Sequence, residues 1–223
     1  MCLSLFYKKI SDLNGELILN EISIADLKKM AEILVIDDQE FDYLNDLQKY
    51  DFKIRKINDI TALSDVEAYP IVLCDIRGVG KFLNSKYDGA NLINQLRVKY
   101  PDKIIIAYTA ESYEADFEPF LSNADEVIAK GTCSIESWAS LLEKYVKGLA
   151  DPVKQWERTR KKLFAAGVST VEVAKYESEY VKAINNGSFE SFKKLYGAKK
   201  PGSNIIIELA SSTFAKIITH KKY

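Results

Sequence analysis

Asp37, Asp38, Asp75, Thr109 and Lys130 stand where polar side chains could act together. Each closes or directly follows a short apolar run. Ile33–Ile36 leads into Asp37-Asp38, Ile71–Cys74 into Asp75, Ile104–Tyr108 into Thr109, and Glu126–Ala129 into Lys130. Three carboxylates gathered at one place repel each other, and a divalent cation among them resolves the conflict. All-oxygen donors with room for water and phosphate oxygens suit Mg2+ better than zinc. A lysine ammonium is a compact charge for a phosphoryl oxygen, and a threonine hydroxyl can donate to another. Such a set suits phosphoryl transfer onto a carboxylate, where catalysis is mainly positioning and charge neutralisation.

Other chemistries fit poorly. His220 is the only histidine, which argues against a Ser-His-Asp triad or a multi-histidine metal site. Cys2, Cys74 and Cys133 match no zinc spacing and read as free thiols. Gly78-Val79-Gly80-Lys81 has the look of a phosphate-binding loop, but Asp75 stands where that motif needs glycine and Phe82 where it needs Ser or Thr. Arg77 occupies the place where a haloacid-dehalogenase-type phosphatase has its second aspartate.

The elements that must position these residues follow from the patterning. Ile33–Ile36, Ile71–Cys74 and Ile104–Tyr108 are continuous rather than alternating apolar runs, as in parallel strands buried on both faces. Lys53–Ile57 and Glu126–Ala129 supply two more strands. Helices are expected around Phe41–Leu47, Thr61–Val66, Ala90–Tyr100 and Tyr113–Leu121, with a last one capped by Ser134 or Ser137 and running through Leu149. Strand and helix alternate about five times, which implies a parallel sheet covered on both faces by right-handed crossovers. Ligands of such sheets bind beyond the carboxyl ends of the strands, where the acids, Thr109 and Lys130 fall.

Taken in order, Ile33-Leu34-Val35-Ile36-Asp37-Asp38, Val72-Leu73-Cys74-Asp75-Ile76-Arg77-Gly78, Asp88-Gly89, Tyr108-Thr109-Ala110 and Ala124–Lys130 make residues 31–148 resemble the receiver domain of two-component response regulators. The resemblance implies a flavodoxin-like, doubly wound sheet of five parallel strands in the order 2-1-3-4-5. It implies that Asp75 is the phosphoacceptor, and that Asp37, Asp38, Asp75 and the backbone carbonyl of Arg77 hold Mg2+. Thr109 and Lys130 would contact the phosphoryl group. The implied donor is a histidine kinase or phosphotransfer protein, with autodephosphorylation, and dimerisation on phosphorylation is a common consequence. Three positions depart from the family pattern. Gly131 replaces the usual proline after the lysine, Val127 replaces the usual aromatic, and the stretch from Asp75 to Asp88-Gly89 is longer than usual. That 76–88 loop should lie over the site, where it would gate the donor or touch a partner.

The flanks read differently. Residues 151–223 carry 14 Lys and Arg against 7 Asp and Glu, whereas residues 1–150 carry 17 against 25. The two surfaces should therefore meet different partners. In residues 1–30, Asn14-Gly15 allows a hairpin between Leu3–Tyr7 and Leu17–Leu19, and a helix over the first dozen residues is the alternative. Ser23 resembles an N-cap. Asp151-Pro152 and Ser169–Glu172 open two helices, Ser188–Tyr196 suggests a third, and Ile205–Ile218 a last helix or, in its first part, a strand. A helix-turn-helix over residues 153–184 is permitted. Residues 151–223 thus read as a mainly helical output or dimerisation region, with DNA or an acidic protein as possible partners. A phosphorylation-independent interaction module built on the 76–88 loop is the other reading. No run is long enough to span a membrane and no signal-peptide pattern opens the chain, so a cytoplasmic protein is expected.

Overall fold

The structure, a computed structural model, describes residues 7–15, 22–84, 86–109, 115–190, 192 and 201–220. It divides into two compact units, one of residues 31–146 and one of residues 1–30 with 147–223.

The first unit holds strands β1 (Ile33–Ile36), β2 (Ile54–Ile57), β3 (Ile71–Asp75), β4 (Ile104–Thr109) and β5 (Glu126–Ala129). They form one parallel sheet in the order β2-β1-β3-β4-β5, the flavodoxin-like arrangement. Every residue of β1, β3 and β4 is buried, which explains the unbroken apolar runs. One face carries Leu34, Ile36, Val72, Cys74, Ile105 and Ala107. It packs on Ala90, Leu92, Ile93 and Leu96, with Phe117 and Leu121 beside them. Those residues come from helix α3 (Asp88–Lys99), from the 3-10 turn that ends at Phe117, and from α4 (Glu118–Leu121). On the other face, Phe41, Tyr43, Tyr108 and Trp138 meet edge to face or tilted, with ring centroids 5.4–6.3 Å apart. Each fully buried aliphatic side chain here contributes about 1.5–3 kcal/mol of transfer free energy.

Register places the strand ends. Ile36 lies opposite Cys74, so Asp37 follows level with Asp75. Asp75 lies opposite Tyr108, and Thr109 opposite Ala129, one residue before Lys130.

Helix α2 (Leu44–Lys49) is short. The segment expected as a helix over Thr61–Val66 is a single 3-10 turn, Leu63–Val66, held by Asp65 accepting from Thr61 N and Ala62 N. The helix expected over Tyr113–Leu121 is reduced, in its described part, to a 3-10 turn followed by α4, with Pro119 in its first turn. Ser134, not Ser137, caps α5 (Ile135–Ala150), accepting from Ser137 N at 3.3 Å.

The second unit has α1 (Ile24–Met30), α6 (Pro152–Ala165), α7 (Thr170–Asn186), α8 (Ser203–Ser211) and α9 (Thr213–His220). Asp151 caps α6 by accepting from Val153 N and Lys154 N, and Ser169 caps α7 by accepting from Glu172 N. Trp156 stacks on Tyr180 at 5.1 Å, and the Tyr180 hydroxyl donates to Pro152 O. The end of α7 thus returns to the start of α6. The pair packs as an αα-hairpin. Its core gathers Leu163, Tyr176, Val181 and Ile184 with Ile206, Leu209, Phe214 and Ile218. The stretch 205–218 is two helices, because Ser212 is extended and its hydroxyl accepts from Ala215 N. The N-terminal segment belongs to this unit. Lys8 N donates to Ser178 Oγ, and Ile10 N to Glu177 Oε1, while Trp156 Nε1 donates to Glu177 Oε2. Around Asp12–Gly15 the described residues form a 3-10 turn, Ile10–Asp12, with no strand among them. Leu3–Phe6 and Leu17–Leu19, which the hairpin reading needed, lie outside the described residues, as does most of Ser188–Tyr196. Among the described residues, no helix is long and apolar enough to cross a membrane.

Candidate functional site

The carboxyl edge of the sheet brings Asp37, Asp38 and Asp75 together. One carboxylate oxygen from each lies within 4.8 Å of the others. Asp37 and Asp75 are buried, and Asp38 is half-buried. Lys130 reaches across from the end of β5. Its ammonium lies 2.5 Å from Asp75 Oδ2 and 3.2 Å from Asp37 Oδ2, and 4.6 Å from the centre of the Tyr108 ring.

Lys130 alone does not balance three acids. Burial, reinforced by the charge of Asp37, holds the Asp75 carboxyl above its ordinary range in spite of Lys130. Burial works the other way on Lys130. The hydrogen bonds and charges of Asp75 and Asp37 outweigh it, and the lysine pKa rises above its ordinary value. The edge therefore carries excess negative charge, held by hard oxygen donors. That is the donor set a Mg2+ ion takes, and Asp37, Asp38 and Asp75 fit it.

The other residues expected at the site sit around this core. Thr109 is buried at the end of β4, one residue beyond the Asp75 partner Tyr108. Arg77 N donates to Asp75 Oδ1 at 3.3 Å, and the Arg77 guanidinium lies 4.7 Å from the Phe117 ring centre. Ala110, the residue after Thr109 in the quoted motif, lies outside the described residues.

Two glycines let backbone come this close. A Cβ on Gly78, which has φ +73°, would stand 2.3 Å from Asp38 Oδ2. A Cβ on Gly89 would stand 1.9 Å from the Asp75 carbonyl oxygen. The paired Asp88-Gly89 therefore has a packing reason: α3 starts against the end of β3, where Ala90 N donates to Ile76 O.

Two residues of the site were not singled out by spacing. The Tyr108 hydroxyl donates to Asp37 Oδ2. Tyr108 was legible as the last apolar residue of a strand and as part of the Tyr108-Thr109-Ala110 motif, with no role assigned to its hydroxyl, although its place before Thr109 sets it on the alternate face. Asp59, just past β2, accepts from Ile60 N at 2.8 Å, Gly80 N at 2.6 Å and Lys81 N at 3.2 Å. Its signal was a polar pair, Asn58-Asp59, directly after the second strand.

No protein-family model matches the sequence, and no curated protein matches it. Solved structures do resemble it. A CheY-like response regulator receiver domain protein from Methanospirillum hungatei is 16% identical, spans 53% of this chain and 94% of its own, and gives a TM-score of 0.42. The receiver domain of NtrX from Brucella abortus is 20% identical over 52% of this chain and 98% of its own, with a TM-score of 0.41. Vibrio cholerae chemotaxis protein CheY4 is 17% identical over 52% of this chain and 98% of its own, with a TM-score of 0.42.

Proposed function

We propose that this protein is a two-component response regulator that accepts a phosphoryl group on Asp75 in a Mg2+-dependent reaction. The observation that carries the reading is the meeting of Asp37, Asp38 and Asp75, with oxygens within 4.8 Å, under the ammonium of Lys130. In this reading, a donor's bond to phosphorus breaks and its electron pair leaves with the donor group. A carboxylate oxygen of Asp75 forms the new bond to phosphorus. Asp37, Asp38, Asp75 and the Arg77 carbonyl would hold Mg2+, which supplies charge neutralisation for the phosphoryl oxygens. Tyr108 orients Asp37 through its hydroxyl. Lys130 holds Asp75 in place before transfer and follows the charge onto the phosphoryl group after it, and Thr109 donates to another of its oxygens. The donor is the phosphohistidine of a kinase or phosphotransfer protein in the cytoplasm. The recipient of the signal is the helical unit of residues 1–30 and 147–223.

Incubation with acetyl phosphate and Mg2+, followed by intact mass, tests this. One added phosphoryl group, dependent on Mg2+ and lost in Asp75→Ala, is the expected result. An unmodified wild type, or equal modification of Asp75→Ala, overturns it.

A further inference from the structure

The loop after β3 brings a second ammonium to the same site. Lys81 Nζ lies 3.9 Å from Asp38 Oδ2. The approach is built in from the backbone. Val79 is fully buried in the core of the receiver-like unit. Gly80 adopts φ +73°, and a Cβ on it would meet Leu92 Cβ at 3.0 Å, so the chain turns tightly against α3 there. Asp59 then takes both of the next amides, Gly80 N on Oδ1 and Lys81 N on Oδ2. A 3-10 turn, Lys81–Leu83, follows directly. A buried side chain, a glycine without room for a methyl and a two-oxygen carboxylate clamp thus fix the point from which the Lys81 arm extends to Asp38.

The two lysines are placed differently. The Lys130 side chain is 32% exposed and lies against Asp75 and Asp37, whereas that of Lys81 is 66% exposed at the rim. A phosphodonor is an anion, and it must approach three carboxylates. We propose that Lys81 is the residue that recruits the donor's phosphoryl group to Asp75, and that Asp59 is the positioning residue that holds Lys81 over the site. This rests on the phosphoacceptor reading of Asp75. It gives the extended loop a function: it carries a donor-binding cation that the strand ends do not supply.

The test measures phosphorylation of the full chain by acetyl phosphate at saturating Mg2+, at low and high ionic strength, with beryllofluoride binding measured in parallel. Lys81→Ala should slow phosphorylation by roughly three- to tenfold at low salt, the size expected for one exposed charge a few ångströms from an anion. The deficit should shrink at high salt, as screening removes what the lysine supplied. Lys81→Arg should restore most of the rate, and Lys81→Glu should be slower than Lys81→Ala. Asp59→Ala should slow the reaction with the same salt dependence, and the double variant should be no slower than Lys81→Ala alone. Equal rates in wild type, Lys81→Ala and Lys81→Glu overturn the proposal, as does a deficit indifferent to salt. If only the Lys81 variants behave normally, with wild type phosphorylated and binding beryllofluoride, Asp75 keeps its role and Lys81 loses its own. If wild type shows neither phosphorylation nor beryllofluoride binding, both fail together.

Discussion

Gly89→Ala tests how tightly the site is built. An alanine methyl at this position would stand 1.9 Å from the Asp75 carbonyl oxygen and 2.7 Å from Val79 Cγ2. Relaxed contacts between heavy atoms lie near about 3.5 Å, so the start of α3 or the end of β3 has to yield by roughly 1.5 Å. The obstacle is strand backbone, not the free end of a side chain, and the cost belongs at the upper end of overpacking, about 3 kcal/mol. For a unit of this size that lowers the melting temperature by on the order of 10 °C. The displaced residue is Asp75 itself, so Mg2+ should also stabilise the variant less than wild type. Gly148→Ala is the control. A Cβ there meets nothing within 4 Å and lies inside α5, so helix propensity predicts a gain of about 1 kcal/mol. Thermal denaturation followed by circular dichroism, with and without Mg2+, reads both. A Gly89→Ala protein that melts within about 2 °C of wild type and keeps its Mg2+ response would refute the close approach of α3 to Asp75.

Three further perturbations check the remaining parts. Lys130→Met leaves Asp75 and the fully buried Asp37 without their ammonium. It should cost about 3 kcal/mol in urea unfolding, with Mg2+ restoring more stability to the variant than it adds to wild type. Glu177→Ala orphans the Ile10 amide and the Trp156 indole together. A loss of about 1–3 kcal/mol, with faster proteolysis before residue 15, is the expected outcome. Asp151→Ala removes the cap that accepts from Val153 N and Lys154 N, and should cost about 1 kcal/mol of helical-unit stability.

The strands of the sheet were legible because Ile33–Ile36, Ile71–Cys74 and Ile104–Tyr108 are buried on both faces, which leaves an unbroken apolar signature ending at the acids. The site's carboxylates were legible for the same reason: they are the first polar residues after those runs. Tyr108 and Asp59 were not, because each acts across the sheet. The Tyr108 hydroxyl meets a residue 71 positions away, and Asp59 clamps amides 21 and 22 positions on. Register and loop path decide such contacts, and local pattern carries neither. The pairing of residues 8 and 10 with α7, across 170 and 167 positions, is invisible for the same reason. The break at Ser212 had a local signal that the apolar run masked: Ser211-Ser212-Thr213 is cap chemistry inside Ile205–Ile218. Thr61–Val66 failed as a helix because Asp65 satisfies the Thr61 and Ala62 amides locally, leaving one turn.

The most direct measurement is intact mass of the full chain after acetyl phosphate with Mg2+, in wild type and Asp75→Ala, with peptide mapping of the modified residue. The account predicts one phosphoryl group on Asp75 that disappears when Mg2+ is chelated. A wild type that stays unmodified, or a phosphoryl group that maps elsewhere, contradicts it.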